Sequence, residues 1–350
     1  MKTLAWVCPS QGAQLELQEI DLPELKPNEV RIEITHCGLC HSDLHMRDND
    51  WGVSNYPLVA GHEGLGQVAM VGDQVRTLSV GDTVGVGWIR GSCGTCRNCR
   101  HGRDNLCETG YQGTFLADKA GMWGKEAHNE HGCFTKFVHI PERFAFKIPP
   151  GMAPEEAAPL LCAGTTVWEP IADYVHPNSR VGIVSLGGLG HVAVKFALAV
   201  GAEVWVISSS ANKESRAKAI GAHHFVHSAN PDALRELAGT LDVIIDTCPA
   251  PQELDPYMGA LALGGTYCKV GIRPSTSSSF SYDFNPLIFT QKKIAGSIVS
   301  GSQRTTEMLG LAAHHGIRCD VEVMNFHMIN EAMDALHKGE NKNFRIVLKW

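Results

Sequence analysis

Alternation of apolar and polar residues organises the first third of the chain. Residues 29–34 read Glu-Val-Arg-Ile-Glu-Ile, a period of two that predicts a half-buried strand. The runs at 66–72 and 80–86 predict further short strands, joined by Gly-Asp turns. Such repetition suggests a partly open all-β barrel. A polar stretch containing Gly and His follows at 108–132 and reads as an ordered excursion, after which 134–140 resumes as a strand. The texture changes near Pro149-Pro150. From residue 154, helical patterns alternate with β-rich runs at 181–185, 203–208, 223–226, 243–246, 266–270 and 293–298. Strands separated by helices in this way predict a doubly wound parallel sheet, an α/β fold of the Rossmann type. The tail returns to a helix (329–338) and a strand (344–349), expected to pack back on the N-terminal part. The expected organisation is a discontinuous, mainly-β domain of residues 1–153 and 298–350, interrupted by a dinucleotide-binding domain of residues 154–297.

Composition narrows the function classes. A chain of 350 residues exceeds what one hydrophobic core usually serves, which supports two domains. Apolar content of 44% with 19% charged residues is that of an ordinary globular protein. The net charge of −7 gives no electrostatic reason to expect nucleic acid or an anionic membrane as partner. The first ten residues lack the apolar core of a secretory signal. The most apolar stretch, 181–207, carries His191, Lys195 and Glu203 and reads as a buried βαβ unit rather than a membrane span. Twelve cysteines in a chain of this size read as reduced thiols and metal ligands, and so as a cytoplasmic protein. No internal repeat or low-complexity tract interrupts the pattern.

Four of those cysteines, Cys93, Cys96, Cys99 and Cys107, form a C-x2-C-x2-C-x7-C run. A thiolate tetrad on a short loop suits tetrahedral zinc with every position filled by protein, hence a structural metal. Disulfides or four unrelated thiols are the alternatives. The close, even spacing of the first three speaks against chance.

Residues 181–191 read as strand, glycine-rich turn and helix start. They align with G-x-G-x-x-G, with Ser185 in place of the first glycine and Gly187 and Gly190 filling the other two. Gly187 lets backbone approach a pyrophosphate at the helix N-terminus, and Gly190 permits close helix–strand packing. A glycine-rich turn without ligand is the alternative. Cofactor choice falls at the end of the second strand, where NAD-specific folds place an Asp or Glu for the ribose 2′-OH. Here stands Ser208, followed by Ser209, Ser210 and, further on, Lys213 and Arg216. Hydroxyls, amides and a cation suit an extra phosphate dianion, so NADP(H) is expected over NAD(H).

Three remote pieces complete the set: Cys37-Gly38-Leu39-Cys40-His41-Ser42-Asp43, Gly61-His62-Glu63-Gly64 and Leu161-Cys162-Ala163-Gly164. Each alone is weak, since a lone Cys or His is more often a packed core residue. Together with the cysteine tetrad and the dinucleotide fold, the chain resembles the zinc-dependent medium-chain alcohol dehydrogenases. Gly38-Leu39-Cys40-His41-Ser42-Asp43-Leu44-His45, Asp50, Ser54-Asn55-Tyr56-Pro57, Gly61-His62-Glu63 and Cys162-Ala163-Gly164-Thr165-Thr166 are similar to the cinnamyl alcohol dehydrogenase-like branch. The resemblance implies a GroES-like fold for the discontinuous domain and a catalytic zinc on Cys40, His62 and Cys162, with Glu63 adjacent. With the tetrad, this makes two zinc ions per chain. It further implies cofactor contacts at Thr166, Gly187, Gly188, Leu189, Gly190, His191, Ser208, Ser209, Ser210, Lys213, Thr247, Gly271, Ser297, Ile298 and Val299. The expected substrate is a small-molecule primary alcohol or aldehyde, aromatic or of medium to long chain, and the expected assembly is a homodimer.

A Cys2His zinc with one open position polarises a substrate oxygen, while hydride exchange belongs to the nicotinamide. Ser42 is expected to pass the alcohol proton towards His45, with Asp50 orienting that chain. Trp51 and Trp123 are candidate pocket walls, and 108–132 is expected to border the substrate cleft. Three other readings compete. A NAD-linked alcohol or polyol dehydrogenase should carry an acid near 208. A relative that has lost its metal chemistry should lack Cys40, His62 and Cys162. A non-enzymatic zinc module for nucleic acid should show a basic face, of which Arg97, Arg100 and Arg103 supply only a small local piece.

Overall fold

The computed structural model describes residues 1–115, 131–250, 252–272, 282–340 and 342–350. The chain divides into two compact units, Met1–Thr165 with Ser300–Trp350, and Thr166–Val299. Trp123 and most of the 108–132 excursion lie outside the described residues. Among the described residues, no helix is long and apolar enough to cross a membrane.

The first unit is organised by the long strand Glu29–Leu39, whose buried positions are almost continuous. It pairs antiparallel with Gly64–Val71 over residues 30–37, with Phe137–Pro141 over 29–33 and with Arg345–Lys349 over 36–39. The sheet continues from Arg345–Lys349 to the parallel strand Val321–Asn325, so the C-terminal tail completes a sheet begun at the N-terminal end. On the other side Gly64–Val71 pairs with Thr83–Val86, and that with Ala145–Lys147. The strand expected at 80–86 starts only at Thr83. Gly81 sits at φ +92°, and Asp82 accepts from the Ser79 amide at 2.8 Å, so the first residues of that run form the turn.

The unit also extends to Thr165 rather than ending at 153. Packing explains the later boundary. A Cβ at Gly85 would fall 2.5 Å from the Leu161 side chain, so the segment leading to Cys162 lies directly on the strand Thr83–Val86.

The second unit is the six-stranded sheet foreseen from the sequence, every pairing parallel. Its spatial order is His224–His227, Glu203–Ser208, Arg180–Val184, Leu241–Asp246, Leu261–Lys269 and Lys293–Gly296. The order reverses around Arg180–Val184, the switch point at which such folds bind nucleotides beyond the strand ends. The helix Gly190–Val200 is buried along its apolar face and ends at Gly201, in the left-handed region that favours glycine.

Candidate active site

The strand Glu29–Leu39 ends by delivering Cys40, which caps the helix His41–Asp48; the Ser42 amide donates to its Sγ at 3.5 Å. Asp43, fully buried, reaches back to accept from the Cys40 amide at 2.9 Å. Its other oxygen accepts from the Gly61 amide at 3.0 Å and from His62 Nδ1 at 3.1 Å. A carboxylate can only accept here, so His62 carries its proton on Nδ1 and presents a lone pair on Nε2. That Nε2 is buried with no hydrogen-bond partner among the described residues, as is Glu63 Oε2. Glu63 Oε1 is held by Arg345, whose Nη2 also donates to the Leu39 carbonyl at 3.2 Å. Gly38 makes room for this carboxylate: a Cβ there would sit 1.9 Å from Glu63 Oε2.

Ligand atoms of Cys40, His62, Glu63 and Cys162 all lie within 4.8 Å of one another, each residue buried. The electrostatics are those of a site built for a cation. Hydrogen bonding with Cys162, against the opposing effect of burial and with help from His62, holds Cys40 well below the usual thiol range, while Cys162 is pushed well above it. Burial pushes Glu63 up to about 7, with Arg345 pulling the other way. Two thiolates need a dication to be stable together in such a place, and His62 Nε2, without a partner among the described residues, offers its lone pair to a Lewis acid. The residues therefore fit zinc, with Cys40, His62 and Cys162 as ligands and Glu63 beside them.

The cysteine tetrad fits zinc on separate grounds. In a tetrahedron with Zn–S bonds of about 2.3 Å the sulfurs stand about 3.8 Å apart, and Cys93 Sγ lies 3.8 Å from Cys99 Sγ. Backbone amides of Cys93, Cys96 and Cys99 donate to Sγ of Cys107, Cys93 and Cys96 at 3.4, 3.3 and 3.5 Å. All twelve cysteines are free thiols, which removes the disulfide reading. The lobe is tied down by Asp104, a buried carboxylate that accepts from Ser92 Oγ at 2.8 Å and the Ser302 amide at 3.0 Å, with Arg143 at 2.7 Å.

Ser42 Oγ lies 3.6 Å from Cys40 Sγ. His45, one turn further along the same helix, donates from Nδ1 to Asp50 Oδ2 at 2.7 Å, which leaves Nε2 as its lone-pair nitrogen when the ring is neutral. Trp51 packs on His45 with ring centroids 5.1 Å apart, and on Trp88 at 6.3 Å. Trp88 in turn stands edge-on to His62 at 4.8 Å, and Phe115 lies 5.6 Å from both. An aromatic wall thus runs from the His45–Asp50 pair to the His62 ring.

In the second unit the expected cofactor residues gather beyond the carboxyl ends of the strands. Gly187, Gly188, Leu189, Gly190 and His191 form the turn after Arg180–Val184, while Thr247, Gly271 and Ser297–Val299 follow three other strands; Thr166 lies on the helix Ala163–Tyr174. A Cβ at Gly190 would fall 1.9 Å from the Ser185 carbonyl oxygen, the close approach expected of that glycine, whereas the Cβ position at Gly187 meets only Ser185 Oγ at 3.9 Å. Ser185 itself adopts φ +74°, which explains why glycine is the ordinary residue at its position in the motif. His191 Nδ1 donates to the Gly187 carbonyl at 3.0 Å and Thr247 Oγ1 to the Val184 carbonyl at 2.8 Å, bracing the turn. Gly271 is required by the Cys248 carbonyl, 2.5 Å from where a Cβ would be. Ser208 ends its strand and is buried, with Ser209, Ser210 and Lys213 after it. Lys213 forms no ion pair among the described residues; burial, then the neighbouring Arg216, lower its pKa.

Comparison with known proteins agrees with this architecture. Residues 26–150 match the alcohol dehydrogenase GroES-like domain, and residues 188–314 the zinc-binding dehydrogenase domain. A probable mannitol dehydrogenase of Medicago sativa is 38% identical over 99% of this chain and 95% of its own length. A cinnamyl alcohol dehydrogenase of Sorghum bicolor superposes with a TM-score of 0.92 at 34% identity, covering 100% of this chain and 98% of its own. CAD of Helicobacter pylori, solved complexed with NADP(H), superposes at 0.89 with 27% identity over 100% of this chain and 98% of its own. The chain belongs to the zinc-binding alcohol dehydrogenase family, a GroES-like domain joined to a Rossmann domain. Its place there is the cinnamyl alcohol dehydrogenase-like branch, and it is a zinc alcohol dehydrogenase.

Several residues of the site had gone unassigned in the sequence. Asp43 was visible as the acid three positions after a helix cap, Arg345 as a charge heading the apolar run Ile346-Val347-Leu348. Trp88 and Phe115 carried no signal, because their neighbourhood to His62 arises only in the fold.

Proposed function

We propose that this protein interconverts a primary alcohol and its aldehyde with NADP(H), carrying two zinc ions per chain. The observation that carries the NADP(H) assignment is the end of the strand Glu203–Ser208, where a buried serine and, a few residues on, Lys213, which forms no ion pair among the described residues, stand in place of a carboxylate. When bound, zinc supplies a Lewis acid for the substrate oxygen and the nicotinamide exchanges the hydride. The protein's own residues do the rest. Cys40, His62 and Cys162 hold the metal with a position left open; Asp43 fixes the His62 ring; Arg345 anchors Glu63 beside it. Ser42 and His45 move the proton outward, with Asp50 holding His45 in the tautomer that can receive it. Trp51, Trp88 and Phe115 present an apolar face that suits an aromatic or medium to long aliphatic group and excludes water. Cys93, Cys96, Cys99 and Cys107 hold the second zinc.

The assembly we infer is a homodimer joined through the cofactor units. Among the described residues the strand Lys293–Gly296 ends its sheet without a further neighbour, and Leu263, Phe284, Ile288 and Phe289 are 81%, 72%, 69% and 86% exposed. An open strand edge beside large exposed apolar residues is a surface that pairing would cover. The free thiols fit a reducing compartment such as the cytoplasm.

Initial rates with NADPH and NADH, against aromatic, long-chain and short aldehydes and a polyol series, test the reading. NADPH should be preferred by roughly ten- to a hundredfold in kcat/KM, the worth of a charge-assisted hydrogen bond, and Ser208→Asp should erode that preference. Equal use of NADH by the wild type would overturn the cofactor assignment.

A further inference from the structure

The serine loop has a partner on the neighbouring strand. His227 is the last residue of His224–His227 and stands opposite Ser208 in the parallel ladder. Its Nε2 lies 3.0 Å from the Ser209 carbonyl oxygen. A carbonyl only accepts, so that nitrogen carries the proton. The same peptide plane is held at its other side, because the Ser210 amide donates to Ser208 Oγ at 3.3 Å. The Ser209–Ser210 peptide is thereby fixed through both its C=O and its N–H. The Ser228 amide, donating to the Ser208 carbonyl at 3.0 Å, anchors the strand end from the same side.

Two consequences bear on an anion. The Ser209 carbonyl, whose lone pairs would repel a phosphate, is committed to the imidazole. Ser208 Oγ, already accepting from Ser210, has its own O–H left to donate. The turn that begins at Ser210, whose carbonyl accepts from the Lys213 amide at 3.1 Å, then brings Lys213 back beside the loop.

We propose that His227 is a specificity-determining positioning residue: by holding the Ser209 carbonyl it sets residues 208–210 in the conformation that receives the 2′-phosphate of NADP(H). This rests on the NADP(H) reading above. It assigns to a strand outside the glycine-rich motif a share of the discrimination between the two dinucleotides.

The test uses two probes that differ only in that phosphate, adenosine 2′,5′-bisphosphate and 5′-AMP, titrated into the zinc-loaded full chain. His227→Leu should weaken binding of the bisphosphate roughly two- to tenfold, the value of one hydrogen bond, with 5′-AMP unchanged. KM for NADPH should rise by the same factor while kcat stays constant. His227→Gln, whose amide nitrogen reaches about as far as Nε2, should restore wild-type discrimination. His227→Asn, which reaches only as far as Nδ1, should behave as the leucine variant does. If the wild type binds the bisphosphate no better than 5′-AMP, the NADP(H) reading falls and this proposal with it. If the wild type discriminates but the Leu and Asn variants keep its ratio, or lose both ligands equally, the proposal alone is overturned.

Discussion

The two thiolate sites of this chain are built in opposite ways. The tetrad takes all its sulfurs from one loop, Cys93 to Cys107, with Cys93 exposed and Cys96 half-buried. Its sulfurs are met by amide-to-sulfur bonds and the Thr109 hydroxyl, with Asp104 bracing the lobe from outside, so a metal bound there would supply much of the order of the ligand set itself. The other site draws Cys40, His62 and Cys162 from three remote segments, all buried. Its geometry is held by protein: Asp43 fixes Cys40 and His62, Arg345 holds Glu63, and Gly38 leaves the space. A site that must keep a position open for substrate cannot rely on the metal to organise it, because an incomplete ligand set organises less.

The largest effect follows from removing a ligand on each side of this contrast. Cys162→Ala should abolish turnover and release one zinc, with the fold and its unfolding transition nearly intact. Cys99→Ala should release the other zinc and destabilise the lobe, since structural zinc contributes on the order of 10 kcal/mol to such a loop in isolation. Metal analysis together with thermal unfolding separates the two variants. Zinc-free protein that is folded and active would sink both assignments, and equal destabilisation by the two substitutions would break the contrast.

The same contrast explains what could be read from the sequence. The tetrad was legible because its ligands lie close along the chain, and spacing alone encodes the geometry. The parallel sheet was legible because buried strands at 181–185, 203–208 and 243–246 alternate with helices. The open site became legible only by resemblance, since Cys40, His62 and Cys162 meet through pairings that no local pattern specifies. Residues one step further out were less legible still. Asp43 acts through a helix cap, Arg345 crosses from the last strand, and Trp88 meets Trp51 only because a short strand and a helix end converge. The boundary at Thr165 was missed because the segment before it has helical texture, yet packs on the β sheet.

A second prediction asks whether the open site moves protons through its own helix. Ser42→Ala removes the hydroxyl beside Cys40 and takes away no ligand. A general acid–base step is worth about 10²–10⁴-fold, so kcat should fall in that range with zinc content and NADPH affinity unchanged. His45→Ala should be milder, because water can take over at the outer end. Solvent isotope effects and single-turnover rates identify whether chemistry is limiting. Near-normal kcat in a chemistry-limited Ser42→Ala variant would remove that hydroxyl from the proton's path and leave His45 to be reached by water.

The smallest expected effect sharpens the comparison most. Asp43→Asn keeps the size of a fully buried side chain but turns one of its two acceptors into a donor. Asp43 Oδ2 faces the Cys40 amide, and Oδ1 faces both the Gly61 amide and His62 Nδ1. Whichever way the new amide turns, an N–H meets an N–H, so either Cys40 or His62 loses its brace. Substitutions of such supporting groups typically cost about 10–100-fold in metal affinity. Zinc release followed against a graded chelator should therefore show one phase shifted by that factor, with the phase belonging to the tetrad unmoved. Among the described residues no carboxylate braces the tetrad as Asp43 braces the open site: three of its sulfurs accept from backbone amides, and Cys107 Sγ also lies 3.3 Å from the Thr109 hydroxyl. If both phases shifted together, the variant would be loosening the unit as a whole. If neither shifted, the open site would owe its geometry to the metal after all, and the distinction between the two sites would collapse.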